Sequence, residues 1–352
     1  MESYSLFCHC LPNGRREGEL SKGKSGNLPK LSVKRYSRGQ DYFYKTSYMT
    51  MKKYFFMWLA LCFCIGAQAV PEAEDALFGH LRPGEKGAVL MVHFGSTYDE
   101  TRAKTYDALN EAMRAAFPGI EQREAYTSRI VIKRLKARGI EKQNPVEALQ
   151  ALQQEGFTHV LVQSSNIIDG TEITVLRQEV EQMSAHFKQI RIGKPLLYSP
   201  ADYERVVEAL APKALEGGAT IFVGHGTSSP NTAQYAMLDY MLKATGHADM
   251  HVATIEGYPT METAEALIKA SGRKKIRLIP FLFVAGDHAN NDIAVEWKEA
   301  LTAKGYEVEP LMEGLGENEA IRKLFIEHAQ AAATAPWRSA AEEKKAFIQN
   351  NP

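Results

Sequence analysis

Two imidazoles and a carboxylate stand where apolar runs of this chain end. They are His225 in Gly224-His225-Gly226-Thr227, Glu256 in Ile255-Glu256-Gly257-Tyr258-Pro259 and His288 in Ala285-Gly286-Asp287-His288. This donor set suits a borderline divalent cation such as Co, Ni, Fe or Zn. Neutral imidazole, with an ordinary pKa near 6.5, can hold a metal and then accept a proton at ambient pH. His93 and Glu172 occupy comparable places earlier in the chain. Taken singly, each has a plain structural reading: Gly-His-Gly as a tight turn, Asp-His as a helix cap, the Glu-Gly-Tyr-Pro stretch as a solvated turn. Their placement at successive strand ends favours one shared site.

The elements that must position these groups alternate. Apolar runs predict strands over 88–94, 122–126, 159–163, 189–192, 220–223, 250–254, 276–283 and 307–310. Helical spacing falls between them over 100–117, 128–138, 145–155, 200–215, 232–245, 261–271 and 293–304. Nearly continuous apolar strands separated by helices imply an α/β fold with parallel sheets covered on both faces. The pattern repeats. Val89 to Thr97 matches Ile221 to Ser228, pairing His93 with His225, and Ile167 to Glu172 matches Phe283 to His288, pairing Glu172 with His288. Two similar halves follow, at 86–197 and 198–335, divided near Pro195 to Pro200, with the last helix expected against the first half. In parallel sheets ligands bind beyond the carboxyl ends of strands, which is where these groups fall, facing a central cleft.

Other chemistries lack their signatures. Ser96, Ser228 and Ser229 have no Gly-x-Ser-x-Gly elbow. Neither Gly-x-Gly-x-x-Gly after a strand nor Gly-x-x-x-x-Gly-Lys-Ser/Thr occurs, so NAD and ATP use are not expected. His159, His186, His247 and His328 are expected at the surface.

Charge divides the chain. Its 352 residues carry 42 basic and 42 acidic side chains, and a zero net charge gives no reason to expect nucleic-acid binding. Yet residues 1–69 hold eleven Lys/Arg against four Asp/Glu, and all four cysteines, Cys8, Cys10, Cys62 and Cys64. The remainder is therefore near −7. Lys52-Lys53, an apolar stretch from Tyr54 to Ile65 and Ala67-Gln68-Ala69 make a secretory signal over 49–69, cleaved after Ala69. The apolar stretch is too short to cross about 30 Å of hydrocarbon, so no membrane association is expected after cleavage. Residues 1–48 read as an extension upstream of the real start, and 336–352 as a tail. A periplasmic mature chain without cysteine has only imidazole and carboxylate to offer a metal.

In Phe94-Gly-Ser-Thr-Tyr-Asp-Glu-Thr-Arg102, Tyr126-Thr-Ser-Arg-Ile-Val-Ile-Lys-Arg-Leu135, Gly224-His-Gly-Thr227, Glu256-Gly-Tyr-Pro259, Pro280 to His288 and Gly314-Leu-Gly-Glu-Asn318, the chain resembles the anaerobic-type sirohydrochlorin cobaltochelatases, particularly exported members. The resemblance implies two flavodoxin-like halves around a tetrapyrrole cleft and insertion of Co²⁺, or Fe²⁺ or Ni²⁺, without ATP. It implies that His225 and His288 bind metal and take protons, with Glu256 as the accompanying carboxylate and Glu172 as an acidic residue of the first half. Members commonly carry Ser in place of His93 and His-Ile-Ile in place of Asn166-Ile167-Ile168. The first departure could add a ligand. The second casts doubt on any haem or metal ligation attributed to that His position. A substrate with many carboxylates needs local cations, for which Arg129 leads, followed by Arg102 and Lys133. The alternative is a periplasmic tetrapyrrole or metal carrier without turnover. Either could form a homo-oligomer.

Overall fold

A computed structural model describes residues 76–286, 289–334, 344–345 and 347–349. The stretches expected to be an upstream extension and a secretory signal, the four cysteines and most of the tail lie outside the described residues, as does His288. The described residues belong to one compact unit. Among them no helix is long and apolar enough to cross a membrane.

Two four-stranded parallel sheets form the frame. The first holds β1 (Gly87–His93), β2 (Glu121–Tyr126), β3 (His159–Ser164) and β4 (Gln189–Ile192), in the order β2-β1-β3-β4. The second holds β5 (Ala219–Gly226), β6 (Met250–Glu256), β7 (Lys275–Pro280) and β8 (Glu307–Pro310), in the order β6-β5-β7-β8. All seven residues of β1 are buried, as a central strand covered on both faces requires.

Helices cover the sheets. In the first half these are α1 (Asp99–Arg102), continued through a π-helical stretch Ala103–Asp107 into α2 (Ala108–Ala116), then α3 (Arg129–Lys136), α4 (Pro145–Gln154) and α5 (Thr171–Met183). The second half has α6 (Pro200–Leu210), α7 (Ala233–Ala244), α8 (Met261–Ser271), α9 (Lys298–Ala303) preceded by a π-helical stretch Ala289–Trp297, and α10 (Glu319–Thr334). Starts are set by caps: Asn144 and Ser199 each accept from the third helical N–H ahead of a proline. The predicted strand over 276–283 stops at Pro280, which has no N–H for the ladder, and the chain turns so that Phe281 and Phe283 enter the core.

One core joins the halves. It runs from Val89, Met91 and Tyr106 to Phe222, Tyr235, Phe281 and Phe283, and continues to Leu324 and Phe325 of α10. That helix packs on the first half: Leu77 donates its N–H to Ala333 O at 2.8 Å, and Arg191 Nη1 donates to Ala332 O at 3.1 Å and Ala333 O at 2.9 Å. His328 Nε2 lies 2.9 Å from Asp202 Oδ1, so His328 is buried rather than at the surface. His159 is buried as well, with Nδ1 2.9 Å from Thr158 Oγ1.

Register corrects one of the repeats. Gly95 and Gly226 each leave the central strand with a positive φ and donate the N–H to a buried tyrosine hydroxyl. Counting back from these equivalent glycines, the counterpart of His225 is Phe94, and that of His93 is Gly224. The sequence pairing of His93 with His225 is therefore displaced by one residue, and in a strand that places a side chain on the opposite face. The pairing of Gly170 with Gly286 falls in register: each carbonyl accepts the N–H four residues on, from Thr174 at 3.1 Å and Asn290 at 3.0 Å.

Candidate metal and tetrapyrrole cleft

Each half carries its central strand into a glycine that only a close approach explains. At Gly226, with φ +84°, an added Cβ would lie 1.7 Å from Glu256 O. Gly226 and Glu256 are register partners, so the exposed His225 and the exposed Glu256 stand at adjoining strand ends. Gly95, with φ +105°, is closed in by Tyr126, 2.6 Å from the added atom. A buried tyrosine hydroxyl receives each glycine N–H: Tyr106 from Gly95 at 3.3 Å, and Tyr235 from Gly226. Burial pushes both phenols up, Tyr235 to about 12, so they remain protonated.

A cleft of about 610 Å³ opens between the strand ends. Its second-half wall includes His225, Glu256, Leu282, Val284 and Gly286. The first-half wall includes Phe94, Ser128, Ser165, Asn166 and Glu172. Phe94, 44% exposed, occupies the place that His225 holds opposite. Strand pairing likewise makes Ser128 the counterpart of Glu256. The two walls share a backbone plan and differ in chemistry.

Glu172 lies in the first turn of α5 and accepts from Asn166 Nδ2 at 2.9 Å. It meets solvent through the cleft mouth, yet the surrounding walls desolvate it and raise its carboxyl above the ordinary value, against the opposing pull of Asn166 and His225. Glu172 and His225 thus lie within electrostatic reach. Among the described residues no three His, Cys, Asp or Glu side chains make a metal-sized group.

Other expected contacts go elsewhere. His93 is 0% exposed and does not line the cleft. Its Nδ1 lies 2.9 Å from Ser165 Oγ and its Nε2 3.1 Å from Asn110 Oδ1, while its ring stacks on Tyr106 at 4.2 Å. An added ligand or substrate contact at His93 is therefore replaced by a core role. Arg129 is exposed at the start of α3 but outside the cleft lining, near Glu179 of α5. Ile130 and Arg134, one turn apart on α3, take the lining positions instead. Arg102 is committed to the loop after β1, donating through Nη1 to Ser96 O at 2.8 Å and pairing with Asp99. Arg138 adds bonds to Thr97 O and Asp99 Oδ2, each at 2.5 Å. Sequence reasoning passed over Phe94, Tyr106, Arg134, Ser165 and Tyr235. Only Phe94 carried a signal, its place directly before Gly95 as His225 stands before Gly226.

Two parallel α/β halves facing a cleft, with imidazole and carboxylate at the strand ends, define a protein of the chelatase-like class. The profile described as cobalt chelatase (CbiK) matches residues 87–334. A sirohydrochlorin cobaltochelatase of Salmonella typhimurium is 35% identical over 264 residues, spanning 73% of this chain and 100% of that protein. The sirohydrochlorin cobaltochelatase CbiKC of Nitratidesulfovibrio vulgaris is 33% identical over 266 residues, spanning 73% and 93%. Two solved Bacillus subtilis structures share the fold: SirB with Fe³⁺ at TM-score 0.54 and 17% identity, covering 70% of this chain and 96% of that one, and sirohydrochlorin chelatase SirB with cobalt at 0.52 and 16%, covering 70% and 95%. The chain belongs to the cobalt chelatase family, and it is an enzyme of the metal chelatase class.

Proposed function

We propose that the protein inserts Co²⁺ into sirohydrochlorin within this cleft, without ATP. The observation that carries the reading is that His225 and Glu256, at the ends of the neighbouring strands β5 and β6, both line a 610 Å³ cleft, with Glu172 within electrostatic reach of His225 from the other wall. In this proposal His225, Glu256 and His288 hold the incoming ion on one face of the macrocycle; His288 stands two positions after Gly286 in the sequence, and Gly286 lines the cleft. Fe²⁺ and Ni²⁺ are alternative ions for this donor set. Metal insertion expels two N–H protons. Imidazoles beside the ion serve as ligand and then as base, and Glu256 offsets the ion's charge. The barrier falls through positioning in the cleft.

Anaerobic absorbance spectra of the full chain with sirohydrochlorin and Co²⁺ test this. Catalytic formation of the cobalt complex is expected, with His225→Ala and His288→Ala each lowering kcat at least about 100-fold. Stoichiometric binding with no rate above the uncatalysed reaction would overturn turnover and leave a carrier. We place the reaction in the periplasm after removal of residues 1–69. An intact mass beginning at Val70 supports that placement and one beginning at Met1 refutes it.

A further inference from the structure

Behind the first-half wall runs a hydrogen-bonded line that the ligand set leaves unused. Ser165, 5% exposed, lines the cleft. Its Oγ lies 2.9 Å from His93 Nδ1, and His93 Nε2 lies 3.1 Å from Asn110 Oδ1 and 3.7 Å from Glu124 Oε1. Asn110 Nδ2 donates to Glu124 Oε1 at 2.9 Å, and Lys142 Nζ pairs with the other carboxylate oxygen. The line runs from the cleft to the partly exposed edge strand β2.

This connectivity sets the tautomer. Asn110 commits its NH₂ group to Glu124, so its oxygen must accept, and His93 carries its proton on Nε2. Nδ1 is then bare and accepts from the Ser165 hydroxyl. Ser165 therefore turns lone pairs toward the cleft. Serine, imidazole and carboxylate in this order parallel the proton-accepting arrangement of a Ser-His-acid triad, with the Asn110 amide carrying the link from His93 Nε2 to Glu124. The ring is held by Tyr106 at 4.2 Å on one side and edged by Tyr126 at 6.3 Å.

We propose that Ser165, backed by His93 and Glu124, accepts an N–H proton of the tetrapyrrole as the metal enters, from the wall opposite His225. The proposal rests on the chelatase reading of the cleft. The N–H bond breaks with its electron pair left on nitrogen for the metal, and a new O–H bond forms at Ser165. The original hydroxyl proton passes to His93 Nδ1, and the imidazolium charge is set against Glu124. When the product leaves, Nδ1 returns its proton to Ser165, which hands the extra one to water in the cleft. The charged and titratable groups facing the line are Glu124, Lys142, Tyr106 and Tyr126, with Asp107 beside Glu124. Burial holds the resting imidazole below its ordinary value, partly opposed by Glu124, so it starts neutral. Ser165 is the catalytic residue; His93 and Glu124 position and polarise it.

The test is the pH dependence of Co²⁺ insertion into sirohydrochlorin by the full chain and by Ser165→Ala, His93→Gln, the double variant and Glu124→Gln. Each of the first two is expected to lower kcat about 10- to 100-fold with KM within about twofold, and the double variant to lose no more than either alone. Glu124→Gln removes the charge and keeps one acceptor oxygen for Asn110 Nδ2, giving up the pairing with Lys142 Nζ. It is expected to lower kcat several-fold and move the acid limb of the profile to lower pH. Losses that multiply in the double variant, a change in KM alone, or an unchanged kcat in Ser165→Ala would overturn the proposal while leaving the chelatase reading in place. No catalysed insertion by the parent would overturn that reading itself.

Discussion

His251 offers a test in which the magnitude follows from burial. It lies on β6 opposite Ile221 of β5, is 2% exposed, and neither ring nitrogen has a hydrogen-bond partner. Desolvation is the main cause that lowers its pKa from 6.5 to about 4, aided by Lys243 and opposed by Asp239 and Asp249. A base with a depressed folded value costs stability where the unfolded chain can take up a proton and the fold cannot. That cost is absent well above pH 6.5, grows as pH falls, and is complete below the folded value. Linkage between 6.5 and about 4 gives about 1.4 kcal/mol at pH 5.5 and about 3 kcal/mol at pH 4. His251→Leu removes the titration and two unsatisfied polar atoms. It should be about 1 kcal/mol or more stabilising at pH 7.5, with the advantage rising by a further ~1.4 kcal/mol at pH 5.5. Urea unfolding of parent and variant at pH 7.5, 6.5 and 5.5 reads the difference, in which all other titrations cancel. Parallel stability curves would refute the reasoning, because they would mean that His251 takes up its proton equally in both states.

Three further outcomes are expected. Gly226→Ala places a Cβ against Glu256 O at a positive φ; thermal unfolding should show a loss of at least about 2 kcal/mol, together with loss of Co²⁺ insertion. Glu172→Gln removes a carboxyl whose raised pKa makes the fold lose stability as pH climbs above 4.5; the variant should melt higher than the parent at pH 7.5, and the two should converge at pH 4. Asp202 is pushed up by burial but held below its ordinary 3.8 by Ser199 and His328. Its stabilisation is therefore present above 3.8 and lost as pH falls through the folded value, so Asp202→Asn should melt lower than the parent at pH 7, with the gap narrowing as pH falls below 3.8.

The strands were legible because their apolar runs are unbroken, and β4 and β8 begin and end where alternation and flanking polar residues place them; β5 and β6, however, run on to Gly226 and Glu256 beyond their apolar runs, and β7 stops at Pro280. The two π-helical stretches were not, since Ala103–Asp107 and Ala289–Trp297 carry no breaker that distinguishes them from ordinary helix. The helix α5 was passed over because Ile173, Leu176, Val180 and Met183 form a narrow apolar stripe in a polar segment. His225 and Glu256 could be placed from strand ends alone. His93 could not, because a single residue of register separates a cleft position from a core position, and only the geometry of the Gly95 and Gly226 turns decides between them. The tyrosines that seat the two turns escaped notice because their partners are backbone N–H groups, which have no sequence signature.

The docking of α10 on the first half bears on the order in which the protein can fold. Leu324, Phe325 and Ala333 complete a core whose other members begin at Leu77. A ribosome-bound chain that has finished the first sheet still lacks the helix that closes that layer, and must carry the unfinished apolar face through the whole synthesis of the second sheet. Closure then joins residues some 250 apart in sequence, as in the bond from Leu77 to Ala333. Such distant contacts slow the rate-limiting ordering step. A nascent chain cut off before α10 should thus be a substrate for chaperones, however complete its first half looks on paper.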